Sequence, residues 1–132
     1  MKSGATKHAT FQYSDDRILY ITLMEDAEIE IADSKEMQKV SLELTGGEKF
    51  VAFIDGRAKI NVSKEAREWG STAEAQQNMI AQAIWINSIA NKLVGNFIIQ
   101  FHKPVAKTRL FSDPDEALVW LKEQLKIHDQ KK

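Results

Sequence analysis

The most constraining feature of this chain is the run Phe50-Val51-Ala52-Phe53-Ile54, apolar throughout and set between Lys49 and Asp55. A strand with one wet face alternates apolar and polar residues. A continuous apolar run between charged flanks is how a strand buried on both faces reads. Its neighbours must therefore include elements that cover both faces, and Asp55-Gly56 marks its exit.

The flanking sequence supplies such elements. Phe11 and Tyr13 alternate with polar neighbours, Ser14-Asp15-Asp16 makes a turn, and Ile18, Tyr20 and Leu23 follow in a β-rich run from Arg17 to Met24. Glu28 to Ile31 alternates strictly and reads as a short third strand. Asp33-Ser34 offers a helix N-cap with Glu36 in capping position. Met37, Val40, Leu42 and Leu44 fill one side of that helix, and Gly46-Gly47 ends it. Ser63 opens a helical stretch over Lys64 to Trp69, Gly70-Ser71-Thr72 breaks it, and a second helical piece begins near Thr72. Ile80 to Ile86 alternates as a strand. Asn87-Ser88 caps a helix carrying Ile89, Leu93, Phe97 and Phe101 at helical spacing, which Pro104 ends. Thr108 to Phe111 is extended. Ser112-Asp113-Pro114 then starts a last helix with the stripe Ala117, Leu118, Leu121 and Leu125.

Strands alternating with helices imply right-handed crossovers. The expected fold is α/β, with a mostly parallel or mixed sheet of about five to six strands, helices packed on it, and an antiparallel N-terminal edge. One domain spans residues 9–126, with flexible ends at 1–8 and 127–132.

Composition narrows the chemistry. The 132 residues include no cysteine, which removes disulfides, thiolate metal sites and cysteine nucleophiles, and suits a cytoplasmic protein. Eighteen basic residues against nineteen acidic ones give a formal charge of −1, too little field to gather nucleic acid. No apolar run reaches membrane-span length, and Met1 to His8 lacks the apolar core of a signal peptide.

Nothing forms a catalytic constellation. His8, His102 and His128 are scattered, without metal-ligand spacing. Asp15-Asp16, Glu25-Asp26 and Asp113-Asp115-Glu116 belong to turns and first helical turns, where they satisfy backbone donors. Gly46-Gly47 and Asp55-Gly56 lack the spacing of a phosphate-cradling loop. Lys103, Lys107 and Arg109, with Phe101 and Phe111 nearby, read as a solvated basic cluster. Trp85 and Trp120 read as core, and Trp69 lies at a helix end. No catalytic residue, cofactor or metal is expected.

One segment remains. The buried strand ends at Asp55 and passes through a polar loop to a helix that begins at Ser63. In open α/β sheets, ligands and partners gather at the carboxyl ends of strands. Asp55, Arg57, Lys59, Asn61, Lys64 and Arg67 are the candidate partner-binding residues, and Ser63 is the candidate phosphoacceptor.

The strand Phe50–Asp55, the loop and Ser63 at a helix start together resemble the STAS domain of bacterial anti-sigma-factor antagonists. There a serine in this position is phosphorylated. A closer likeness is to a branch of small bacterial STAS-like proteins related to CRAL-TRIO lipid-transfer domains. It rests on Val62-Ser63-Lys64-Glu65-Ala66-Arg67-Glu68-Trp69, on Phe111, Ala117, Trp120 and Leu121, and on Ser88 to Lys103 with Phe97 and Phe101 before Lys103-Pro104. Asn61-Val62-Ser63-Lys64 departs from the Asp-Ser-Ser/Gly-Gly-like run of STAS proper. The resemblance implies a non-enzymatic regulatory module that binds a protein partner, switched by phosphorylation of Ser63. Two alternatives stand beside it: a carrier of a lipid or small apolar ligand, built around Ile89 to Phe101, and a self-associating domain that forms a homodimer.

Overall fold

The structure, a computed structural model, describes residues 1–89, 92 and 105–131. Phe50–Asp55 (β5) lies inside a six-stranded sheet, as its unbroken apolar run requires. On one side it pairs in parallel with Ile18–Leu23 (β3), and on the other with Met79–Trp85 (β7). Lys107–Phe111 (β8) adds a fourth parallel strand outside β7. Beyond β3 the sheet turns antiparallel through Ala9–Tyr13 (β2) and Lys2–Ala5 (β1). The sheet is therefore mixed, parallel over β3-β5-β7-β8 and antiparallel at its N-terminal edge.

Each face is covered. Ile31–Thr45 (α1) lies over β1 and β2 and turns Met37, Val40 and Leu44 onto Phe11, Tyr13, Leu19, Phe50 and Ala52. Pro114–Gln130 (α3) covers the opposite face, where Ala117, Leu121 and Leu125 meet Ile18, Val51, Phe53, Ala81 and Ala83. The alanines of β7 let α3 approach closely. A separate two-stranded parallel sheet joins Ala27–Ile29 (β4) to Ile60–Val62 (β6), and the short helix Lys64–Gly70 (α2) follows it. Among the described residues, no helix is long and apolar enough to cross a membrane.

Several expectations need correction. The loose terminus expected over residues 1–8 contains β1, held edgewise to β2. Gly4 explains why so bland a segment is ordered. A Cβ there would come within 2.9 Å of Val40 Cγ1, so the missing side chain lets the strand slide under α1. The last helix continues to Gln130, into the tail expected to fray. Helix α1 starts at Ile31, not after Asp33-Ser34. Asp33 instead sits in its first turn, with its carboxylate accepting from the Glu30 backbone N–H at 2.9 Å. The third strand stops at Ile29 and joins β6 rather than the main sheet. The helical piece expected near Thr72 is a series of turns over 71–78. The helix read over Ile89 to Phe101, with His102, Lys103 and Pro104, lies almost wholly outside the described residues.

Candidate functional site

Parallel pairing sets the carboxyl ends of β5, β7 and β8 in one row, with Asp55 opposite Trp85 and Trp85 opposite Phe111. Directly after β5, Arg57 folds back over this row. Its guanidinium carbon stands 3.5 Å from the centre of the Trp85 ring, a stacked cation–π contact. The same guanidinium binds Asp55 in a bidentate fork, Nε to Oδ1 at 3.0 Å and Nη2 to Oδ2 at 2.9 Å. The Arg57 backbone N–H also donates to Asp55 Oδ1. These donors hold the Asp55 carboxyl below the usual carboxylate range, against the opposing effect of partial burial. Trp85 is fixed in turn by its indole N–H, which donates to the Ser112 carbonyl at 3.3 Å. Trp85 is thus half-buried at the sheet's rim rather than sealed in the core.

The rest of the loop runs along β4. Lys59 donates its backbone N–H to the Glu25 carboxylate and accepts at its carbonyl from Asp26. Asn61 stands opposite Glu28 and is exposed. Ser63 follows as the N-cap of α2, with φ −62° and ψ 158°. Its hydroxyl accepts from the Ala66 N–H at 3.1 Å, its carbonyl accepts from Arg67, and its own N–H donates to the Ile29 carbonyl at 3.0 Å. Ser63 therefore caps α2 with its hydroxyl and carbonyl and ties it to β4 through its own N–H. The side chain is half-buried. Lys64 is exposed and lies 4.0 Å from Glu68. Arg67 is half-buried, and its Nε has no hydrogen-bond partner.

The candidate partner-binding residues consequently form three groups along one ribbon: Asp55 with Arg57 on Trp85, Lys59 with Asn61 beside β4, and Lys64 with Arg67 on α2. They make a surface, and none of them lines the apolar cavity below it. That cavity, about 240 Å³, opens between α1, the sheet and the underside of β6 and α2. Ile60, Val62 and Trp69 form its wall on the ribbon side, and Phe11, Ile54 and Met79 form its floor. Sequence reasoning missed it because β6 is only Ile60-Asn61-Val62; the alternation in those residues was the one available signal. The apolar site expected along Ile89 to Phe101 falls almost wholly outside the described residues.

The two histidines among the described residues stand apart from the ribbon. His8 Nε2 lies 3.5 Å from Asp33 at the start of α1, and His128 is in the last turn of α3. Of the basic cluster, Lys107 and Arg109 are exposed on β8, with Arg109 5.0 Å from the Phe111 ring.

A comparison with curated proteins finds no match. Among solved structures, the chain is similar to an uncharacterized protein from the DUF3478 family with a SpoIIAA-like fold, from Shewanella loihica PV-4. The match covers 89% of this chain and 98% of that one, at a TM-score of 0.61 and 18% identity. At that identity the likeness shows the fold alone, and that fold is SpoIIAA-like, of the STAS type. The family model described as a domain of unknown function, DUF7793, matches residues 11–125, and the chain belongs to that family.

Proposed function

We propose that this protein is a non-catalytic regulatory module that binds another protein through the ribbon 55–70, with phosphorylation of Ser63 as its switch. The observation that carries this reading is the position of Ser63. It joins a loop at the carboxyl edge of a buried parallel strand to a helix whose first turn it caps. A phosphoryl group there adds about −1.5 to −2 charges beside Lys64 and competes with the hydroxyl cap on the first turn of α2. A small chemical change at one hydroxyl thus alters both the charge and the seating of the surface. The SpoIIAA-like fold supports the same reading.

The test is co-purification with the wild-type chain, Ser63→Ala and Ser63→Asp as baits. The expected result is a partner retained by the wild-type chain and by Ser63→Ala, and lost or exchanged with Ser63→Asp. Identical partners at identical yield for all three variants would refute the switch. A second copy of this chain as the retained protein would make the ribbon a homodimer contact.

A further inference from the structure

The cavity beneath the ribbon has features that packing leaves unexplained. Its walls are mostly apolar, from Phe11, Ile21, Ile54, Ile60, Val62 and Met79. Because the cavity opens to solvent, its apolar lining is a concave apolar surface of the kind that small ligands cover. Trp69 also lines this space, and its indole N–H is buried without a hydrogen-bond partner. Buried donors are almost always paired, so an orphan donor at a cavity points to an acceptor that arrives from outside. The ammonium of Lys35, an exposed residue outside the cavity lining, lies 5.7 Å from the centre of the same indole ring and makes no ion pair among the described residues. An acceptor at the Trp69 N–H therefore sits in the field of a cation, which favours a charged group over a neutral one.

Size sets the rest. An apolar cavity of about 150 Å³ takes a benzene-sized molecule. By proportion, the cavity of about 240 Å³ takes roughly ten non-hydrogen atoms. We infer that this cavity binds a small amphipathic carboxylate, with its apolar body among Ile54, Ile60, Val62 and Met79 and its carboxylate accepting from the Trp69 indole N–H beside Lys35. The inference uses different side chains from the ribbon's proposed role: none of the candidate partner-binding residues lines the cavity, although Ile60, Val62 and Trp69 of the same ribbon do.

The probe is octanoate, with octanol as its neutral counterpart, titrated into the ¹⁵N-labelled full chain. The readout is the indole N–H signals of Trp69, Trp85 and Trp120. The Trp69 signal is expected to shift saturably with octanoate while those of Trp85 and Trp120 stay in place, Trp85 being already bonded to Ser112. Octanol, lacking the charged acceptor, and octanoate with the Trp69→Phe variant, lacking the donor and followed by the backbone amide signals of the lining residues Ile60 and Val62, are both expected to show about tenfold weaker binding. Ser41→Leu places bulk into the cavity from α1 and is expected to remove binding while signal dispersion is retained. Absence of a saturable Trp69 shift in the wild-type chain would overturn the inference. Equal affinity for octanol would overturn the carboxylate assignment, and undiminished binding by a folded Ser41→Leu chain would overturn the location.

Discussion

Ser63 carries two roles that substitution can separate. As an N-cap, its hydroxyl satisfies the Ala66 N–H, and an alanine there leaves that donor without a partner. Ser63→Ala is expected to lower stability by about 1 kcal/mol in urea denaturation, whereas Ser63→Asp, an equally good cap, keeps most of it. A Ser63→Asp chain as unstable as Ser63→Ala would show that the cap geometry tolerates no charge. The cap was legible in sequence because it needs only a serine ahead of a helical stretch. The stack of Arg57 on Trp85 was not, because it depends on β5 and β7 lying side by side with Asp55 and Trp85 in register. Asp55 reports on that stack. Its folded pKa lies below its unfolded value of about 3.9. Its pairing therefore contributes stability that is fully present above about pH 4 and is lost as pH falls through the folded value. In Arg57→Gln the Asp55 carboxyl is expected to titrate nearer the ordinary carboxylate range, read by carboxyl ¹³C shifts. An unchanged titration would mean that Arg57 is not the cause.

At the scale of elements, the legible ones are those whose signals are local. The run Phe50 to Ile54, the alternation before Trp85 and the Asp113-Pro114 start of α3 each appear in place. The start of α1 misled because Asp33 is a good cap by type, yet it acts from the third helical position, reaching back to Glu30. Strands β1 and β6 have too few residues to show a period. Each exists because a neighbour offers it an edge, β2 for one and β4 for the other. The β1 edge depends on Gly4 lying against Val40 and Leu44. Gly4→Val is expected to cost about 1–3 kcal/mol through overpacking. Hydrogen-exchange protection should be lost first over Lys2–Ala5, and full retention there would show that β1 has room to shift.

Over the whole molecule, the two faces of the sheet carry different work. The α3 face packs around Leu121, Ala117 and Ala81, all at 0% exposure. Leu121→Ala is expected to cost about 2–5 kcal/mol. The midpoint of urea denaturation should fall with an unchanged slope, and a loss well under 1 kcal/mol would mean that the α3 face is loosely packed. The opposite face is less complete, since α1, β6 and α2 leave the cavity between them. The α/β class and mixed sheet were legible because strand and helix signals alternate along the chain. The layout of the site was not. One sequence stretch, 55–69, yields a surface on its outer side and a cavity wall on its inner side, a division set by which residues of β6 and α2 face the core.

The central claim, that the ribbon is an interaction surface switched at Ser63, is tested most directly by native mass spectrometry of the protein purified gently from its own cells, followed by mapping of any phosphate. Two populations are expected: an unphosphorylated chain retaining a protein partner, and a free chain heavier by one phosphate located on Ser63. A chain that carries neither partner nor phosphate, or that keeps the same partner with Ser63 fully phosphorylated, would contradict it.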